Sequence, residues 1–212
     1  MENKLEPLET LTEIRALMER SSRFISLSGL SGVFAGIFAL LGVAAVAYRF
    51  HLPYTLEGYQ NQVVNLYGNP NPDFYKFILV DALLVLFFSL TAAVLFTTRR
   101  ARKNNLPIWD KLVLRVLWNM FIPLSAGGIF CLVLLQHGLL ELVAPATLLF
   151  YGLALLNTSK YTYPDIRYLA LSEISLGLLS CFLIEYGLLF WAIGFGVFHI
   201  LYGARMWHKY ER

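Results

Sequence analysis

Residues 24–48, which read FISLSGLSGVFAGIFALLGVAAVAY, contain no charged side chain over 25 positions. A helix needs about 20 apolar residues to cross a bilayer, because each residue advances it by about 1.5 Å and the hydrocarbon core is about 30 Å thick. We therefore predict a transmembrane helix here. A cleaved signal peptide fits poorly, since its apolar region has about 7–15 residues behind a short basic segment, whereas five Glu precede this run.

Five more charge-poor runs follow, and they predict five more membrane-crossing helices. The runs are residues 77–98 with Asp81, 116–137 with no charge, 138–159 with Glu141, about 166–185 with Glu173 in its interior, and about 186–206 with no charge before Arg205. The predicted fold class is all-α, a polytopic membrane protein with six transmembrane helices in one bundle over residues 24–208. We expect a cytoplasmic amphipathic segment before it, residues 1–23, and a short cytoplasmic tail after it, residues 209–212.

The composition of the whole chain agrees with a protein that faces lipid. Hydrophobic residues make up 58% of the chain and charged residues 15%, against about 45–50% and about 25% in soluble domains. This hydrophobicity excludes intrinsic disorder, and two cysteines are too few for a disulfide scaffold. A net charge of +3 is too small to predict binding to nucleic acid. The partner that the sequence predicts is the lipid bilayer.

The distribution of Lys and Arg predicts the orientation of the chain in the membrane. The segment between the second and third runs holds a basic cluster, which consists of Arg99, Arg100, Arg102, Lys103, Lys111 and Arg115. With six crossings, this segment lies on the same side as both termini, and that side carries every Lys and Arg except Arg49 and Lys76. Because short cytoplasmic loops retain basic residues, we predict that both termini are cytoplasmic.

Two segments outside the predicted spans have recognisable patterns. Residues 8–20 place five apolar side chains on one helical face, namely Leu8, Leu11, Ile14, Leu17 and Met18. This spacing predicts an amphipathic helix at the membrane interface, which packs against the bundle or binds a partner. Residues 49–76 carry aromatic side chains that are typical of a membrane boundary, and a binding cap over the bundle is the alternative for this loop.

Polar side chains inside the predicted spans mark a candidate site, since an ionisable group in hydrocarbon costs about 2.5–3.5 kcal/mol on insertion scales. Counting from the inner ends of their helices puts Glu173 and His199 both about 12 Å deep. Asn119 and Tyr151 fall within a turn or two of that level. A Glu beside a His can hold a proton between them, so this layer predicts a site for a proton, a cation or a small solute. The alternative is an interhelical hydrogen bond that holds the bundle together.

A second set of polar residues falls near the opposite ends of the spans. It consists of Asp81, Glu141, Gln136 and Glu185. An outer vestibule that attracts cations is one interpretation of this set. Solvated helix ends that reach the membrane interface are the other.

The sequence carries no signature of a metal site, a cofactor or a catalytic centre. No two of the four histidines have the spacing of metal ligands on one helical face, and the two cysteines lack a His or Cys cluster. The chain also lacks a phosphate-binding Gly loop, a Gly-x-Ser-x-Gly motif and a His-Glu-x-x-His motif. We therefore predict no metal and no cofactor, and the sequence does not favour an enzyme.

Small residues and one proline predict how two of the helices pack. Gly32 and Gly36 form a stripe on the first run that packs within the bundle or against a second copy of the chain in a homo-oligomer. Pro123, followed by Gly127 and Gly128, predicts a kink or loosened winding in the third run. Such a break often marks a mobile element or a cavity.

Two functional hypotheses follow from these patterns. In the first, the chain is a small transporter or channel-like protein, and Glu173 and His199 handle a proton, a cation or a small solute. In the second, it is a non-enzymatic membrane scaffold, sensor or lipid-interacting protein, and the same pair is structural. The short loops and the lack of catalytic motifs motivate the second hypothesis.

Overall fold

A computed structural model describes residues 27–51, 71–105, 108 and 110–212 of the chain. This part is all helical and contains no strand, which confirms the predicted all-α class. The six helices are α1 Gly29–Phe50, α2 Pro72–Lys103, α3 Lys111–Gln136, α4 Val143–Thr158, α5 Ile166–Phe182, and α6, which runs without a break through Gly187–Trp191, Ala192–Phe198 and His199–Tyr210. The predicted amphipathic segment, residues 1–23, and most of the loop 49–76 lie outside the described residues.

Five segments are long and apolar enough to cross a membrane, so the chain is a multi-pass helical membrane protein. They are Gly29–Phe50, Pro72–Lys103, Lys111–Gln136, Leu140–Tyr161 and Ile184–Tyr210. The fourth includes the short 3-10 turns on either side of α4, and the fifth includes the 3-10 turn Ile184–Tyr186 before α6. The predicted sixth crossing, residues 166–185, corresponds to α5, which has 17 residues and is therefore about 25 Å long.

The helices form a bundle in which α2 and α3 are the outermost members. Helix α1 packs between α2 and α6, and α4 packs between α3 and α5, while α6 also contacts α4 and α5. Of the 18 consecutive residues that are most apolar in each of α2 and α3, only 6% are buried within the bundle, whereas the value for Leu140–Tyr161 is 39%. The apolar side chains of α2 and α3 therefore face outward, as expected for helices in contact with lipid.

The bundle has two distinct ends. At the Arg100 end, Arg100 of α2 contacts Leu27 before α1, Tyr163 before α5 and Tyr210 at the end of α6. The Phe50 end is apolar, and it is formed by a cluster of Val46, Phe50, Phe74, Leu140 and Leu188. Helix α5 begins at the Arg100 end, and the chain after it reaches Gly187, which packs beside Ala144 near the Phe50 end. Thus α5 connects the two ends of the bundle although it is a short helix.

Close packing between α1 and α6 depends on glycines. A Cβ on Gly36 would lie 2.6 Å from the Gly196 carbonyl oxygen, and one on Gly32 would lie 3.3 Å from the Gly203 Cα. Both values are too short for a side chain without rearrangement. The stripe of Gly32 and Gly36 thus packs against α6 of the same chain, which is the first of the two alternatives that the sequence left open.

The irregular winding lies in α6 and not around Pro123 in α3, and the kink at Pro123 stays a prediction. Helix α3 is continuous from Lys111 to Gln136 with Pro123 inside it, and Gly127 packs against the Phe150 side chain. In α6, by contrast, Ala192–Phe198 is wound as a π-helix. Such segments are rare and occur frequently at functional sites, because the wider turn offsets the carbonyls from the regular ladder.

Candidate functional site

The candidate site lies where the π-helical segment of α6 faces α4 and α5. His199 is the first residue after this segment, and it is buried. Its Nδ1 lies 3.0 Å from the carbonyl oxygen of Gly194, five residues earlier in the chain. Its Nε2 lies 2.8 Å from the hydroxyl oxygen of Tyr151 on α4. The imidazole thus joins α6 to α4 and is fixed at both nitrogens.

These two contacts determine the tautomer of a neutral His199. The Gly194 carbonyl can only accept a hydrogen bond, so Nδ1 must carry a proton and donate it. Nε2 is then unprotonated and accepts a hydrogen bond from the Tyr151 hydroxyl. A second proton on the ring would sit at Nε2 and reverse the direction of that bond. Tyr151 is suited to either state, because a phenol both donates and accepts.

Glu173 supplies a carboxyl group to the same place from α5. Its side chain is 0% exposed, and its Oε1 lies 3.4 Å from His199 Nδ1. Neither carboxyl oxygen has a hydrogen-bond partner among the described residues. The carboxyl also lies directly against the π-helical segment, since a Cβ on Gly194 would lie 2.6 Å from Oε2. The absence of a side chain at Gly194 therefore makes the space that the carboxyl occupies.

Aromatic rings form one wall of the site. The Phe195 ring stacks on His199 with centroids 5.8 Å apart, and it lies 5.0 Å from the Tyr151 ring. Trp191 continues this row, with its ring 4.8 Å from Phe195. The wall excludes water from one side of the imidazole, which strengthens electrostatic interactions between the polar groups.

The arrangement allows two proton distributions with no net charge. In one, Glu173 is a neutral carboxylic acid and His199 a neutral imidazole. In the other, the carboxyl has lost its proton and the imidazole carries a second proton at Nε2, so that a carboxylate faces an imidazolium 3.4 Å away. An unpaired charge is strongly disfavoured in a buried site, so gain or loss of one proton changes the energy of the site greatly. The pair can therefore hold a proton and can respond to one that arrives from outside.

Asn119, which the sequence places near the same level, lies apart from this pair. It belongs to the interface of α3 and α4, where the Asn157 amide donates to the Asn119 backbone carbonyl at 2.9 Å and to its Oδ1 at 3.1 Å. The Asn119 amide in turn donates to the Arg115 carbonyl. Depth alone thus groups Asn119 with Tyr151, but the two side chains belong to different contacts. Asn157 completes this contact, and no sequence pattern marks it.

Three of the four outer polar residues lie in neighbouring segments at the Phe50 end of the bundle, and the fourth lies between two helices. Gln136 ends α3 and is exposed, and Glu141 and Glu185 lie in the short turns that precede α4 and α6. Asp81 lies on α2, nine residues after Pro72 at the start of the helix. Its carboxyl oxygens face Gly42 of α1, where an added Cβ would lie 3.0 Å from Oδ2. Asp81 therefore stands apart from the other three, between α1 and α2.

A polar network at the Arg100 end was not identified from the sequence. The Arg100 guanidinium donates to the backbone carbonyls of Leu27 and Tyr210, to the Tyr163 hydroxyl, and to Glu211 Oε1 at 3.2 Å. These contacts join the ends of four helices. No sequence signal separates Arg100 from its basic neighbours, because the distinction depends on which side of α2 faces the bundle.

Glu211 and Asp165 extend this network. Glu211 accepts hydrogen bonds from the Ser28 hydroxyl at 3.0 Å and from the Gly29 backbone amide, so it caps the start of α1. Asp165 accepts from Lys209 Nζ at 2.8 Å and from the Tyr210 hydroxyl at 2.7 Å. Burial raises the pKa of the Asp165 carboxyl, but the hydrogen bonds from Lys209 and Tyr210 outweigh it, and the pKa lies below its ordinary value.

No metal site is evident in the part of the chain that the structure describes. No group of three or more His, Cys, Asp or Glu side chains comes together there. Cys131 and Cys181 are free thiols. The ionisable and hydroxyl groups that meet at the candidate site are Glu173, His199 and Tyr151, which can form hydrogen bonds and transfer protons.

No protein-family model, no curated protein and no solved structure matches this chain.

Proposed function

We propose that this chain is a small proton-linked membrane transport or channel-like protein in which Glu173 and His199 carry the proton. The observation that carries this proposal is the Glu173 carboxyl, which is 0% exposed, lies 3.4 Å from His199 Nδ1, and has no hydrogen-bond partner among the described residues. An ionisable group within a membrane-spanning bundle is costly and marks a functional site by default. A group that served packing alone would be expected to have its oxygens satisfied.

The proposal includes six membrane crossings, with α5 as the sixth. Its two ends lie at opposite ends of the bundle. Its length of about 25 Å is close to the hydrocarbon thickness, and the 3-10 turn Ile184–Tyr186 extends it. A helix buried among longer neighbours also needs less apolar length, because protein and not lipid surrounds it.

The proposed orientation puts the Arg100 end and both termini in the cytoplasm. Arg49 and Lys76 are the basic residues near the Phe50 end in the described ranges, and the other described Lys and Arg lie near the Arg100 end. Cytoplasmic loops retain basic residues, which supports this direction. In this orientation, seven residues separate Glu173 from Ile166 at the start of α5, so it lies about 10 Å from the cytoplasmic end.

Proton flux into proteoliposomes tests the proposed function. The purified protein is reconstituted with a trapped pH-sensitive dye, and a membrane potential is imposed. We expect proton entry above that of empty vesicles, loss of it in Glu173→Gln, and a reduced rate in Tyr151→Phe, which lacks the hydroxyl that bonds to His199. Asp81→Asn is the matched control, because it removes another membrane-embedded carboxyl that does not touch the pair. Flux equal to that of empty vesicles, or equal in the wild type and Glu173→Gln, contradicts the proposal.

One observation favours a second candidate, a non-enzymatic scaffold, sensor or lipid-interacting protein in which the pair is structural. Both nitrogens of His199 are bonded to groups other than Glu173, so the imidazole links α4 to α6 without any proton transfer. In this case Glu173→Gln lowers the melting temperature in detergent and changes no flux. The two measurements on one variant thus separate the candidates.

A further inference from the structure

A groove lies between α5 and α6 on the outer surface of the bundle at the Arg100 end. It has a volume of about 220 Å³, and its lining residues are Asp165, Tyr168, Leu169, Ser172, Phe198, Leu201, Tyr202 and Arg205. Helix α5 packs against Gly187–Trp191 and Ala192–Phe198 of α6, but not closely against His199–Tyr210. The two helices thus separate toward the Arg100 end, and the groove is the gap between them.

The groove opens sideways, toward lipid. Tyr168 on its α5 side is 70% exposed and Leu201 on its α6 side is 63% exposed. Seven residues separate Asp165 from Ser172 on α5, and seven separate Phe198 from Arg205 on α6. The groove therefore extends about 10 Å along the helix axes, which is about two thirds of the hydrocarbon thickness of one leaflet.

The mouth of the groove carries a net positive charge, because Arg205 lies beside the ion pair of Asp165 and Lys209. The Asp165 carboxyl is already bonded to Lys209 and Tyr210. The Arg205 guanidinium is close enough to Asp165 to help lower the pKa of that carboxyl, but it makes no hydrogen bond or ion pair in the described ranges. A headgroup amine would therefore find its carboxylate occupied, whereas a phosphate can accept hydrogen bonds from the Arg205 guanidinium, which binds phosphate oxygens well.

The wall of the groove is largely apolar. Leu169, Phe198 and Leu201 line it, and Leu201 is 63% exposed. One acyl chain of a lipid can lie against these side chains and gain van der Waals contact with them.

We propose that this groove binds one anionic phospholipid of the leaflet at the Arg100 end. Its phosphate lies beside Arg205, and one acyl chain lies along the apolar wall of the groove. Basic pockets between transmembrane helices commonly bind the headgroups of anionic lipids. The apolar wall distinguishes a lipid from a free phosphate, which would gain nothing from it. The proposal does not depend on proton transfer by Glu173.

Native mass spectrometry of the full-length protein tests this binding. The delipidated protein is incubated with phosphatidylglycerol and phosphatidylcholine that carry the same acyl chains, and with glycerol phosphate as a soluble headgroup. We expect one tightly bound phosphatidylglycerol, weaker phosphatidylcholine and no glycerol phosphate. Arg205→Gln should weaken phosphatidylglycerol binding about fivefold or more, while Arg102→Gln, an exposed arginine at the end of α2, should not. Equal affinity for the two lipids, equal loss in both variants, or binding of glycerol phosphate overturns the proposal.

Filling the groove gives a second test that keeps the charge unchanged. Ser172→Trp places a large ring in the groove, and we expect it to reduce binding of both lipids. Leu171→Trp is the control, because Leu171 is an exposed neighbour on α5 that does not line the groove. Both variants should retain the wild-type melting temperature in the delipidated state. Unchanged lipid binding in Ser172→Trp overturns the proposal.

Photo-crosslinking identifies the occupant directly. A benzoylphenylalanine at Leu201 of the full-length protein is irradiated in vesicles that contain phosphatidylglycerol, and the products are analysed by mass spectrometry. The proposal predicts an adduct with the mass of one phospholipid. A crosslink to a peptide from residues 1–26, or to a second copy of the chain, shows a different occupant and overturns it.

Discussion

Arg100 is expected to be the most important charged residue for stability at its end of the bundle. Its side chain is 10% exposed and that of Glu211 12%, and the guanidinium donates to groups at the ends of α1, α5 and α6. Arg100→Met removes these hydrogen bonds and leaves the Glu211 carboxylate without its counter-charge. Removing one partner of a buried ion pair costs about 3–5 kcal/mol, so we expect a loss of that size in the free energy of unfolding.

The assay is reversible unfolding in mixed micelles, followed by circular dichroism as the denaturing detergent is increased. Arg102→Met is the matched control, because Arg102 is exposed on the same turn of α2, and it should change stability by less than about 0.5 kcal/mol. The loss of stability in the double variant Arg100→Met with Glu211→Gln should be smaller than the sum of the two single losses by about 1–3 kcal/mol. If Arg100→Met unfolds like Arg102→Met, or if the losses are additive, the network does not couple the helix ends.

Three further predictions concern packing and pH. Gly194→Ala should destabilise the fold by about 1–3 kcal/mol, because the new Cβ would lie 2.6 Å from Glu173 Oε2, whereas Gly128→Ala meets nothing within 4 Å and should be neutral or stabilising in the same unfolding assay. Asn157→Leu removes both hydrogen bonds to Asn119 and should cost about 0.6–2 kcal/mol, and an unchanged unfolding midpoint would refute this. The pKa of Asp165 is lower in the folded state, so its stabilising contribution is present above its unfolded pKa of about 3.9 and is lost as the pH falls through the folded pKa. The difference in melting temperature between wild type and Asp165→Asn should therefore shrink below about pH 4, and a constant difference would contradict it.

The hydrophobic runs predicted much of the fold, because membrane thickness sets the length of a crossing helix independently of tertiary contacts. Residues 24–48 and 116–137 overlap α1 and α3, and their carboxyl ends lie within two residues of the carboxyl ends of those helices. The ends of α2 were placed less well, since Pro72 starts the helix outside the apolar run, where charged residues continue it to Lys103. Helix boundaries in water depend on capping, as with the Asn71 side chain, and hydropathy does not detect them.

The candidate site was only partly accessible to sequence reasoning. Counting residues along antiparallel helices places Glu173, His199 and Tyr151 at one level, and the three side chains do come together. The same count groups Asn119 with them, because depth carries no information about rotation around the helix axis. The π-helical segment Ala192–Phe198 also has no signal in the sequence beyond its glycines, since its winding depends on the neighbours that fill the space beside Gly194.

The importance of the Arg100 end was hidden for a similar reason. A basic cluster predicts orientation through its total charge, and each member contributes equally to that prediction. The fold distinguishes Arg100, which is largely buried and bonded to Glu211 and Tyr163, from Arg102, which is exposed. The chain segments that it joins are far apart in the sequence, and local patterns therefore do not reveal the contact.

If Glu173 and His199 share a proton that exchanges with water, infrared difference spectroscopy during a pH titration detects it most directly. The protonated carboxyl group of a glutamic acid has a carbonyl stretch that disappears on ionisation. We predict a pH-dependent band of this kind in the wild type that is absent in Glu173→Gln, unchanged in Asp81→Asn, and shifted in its midpoint by Tyr151→Phe. A spectrum in which the wild type and Glu173→Gln show the same carboxyl bands at every pH would contradict the shared proton.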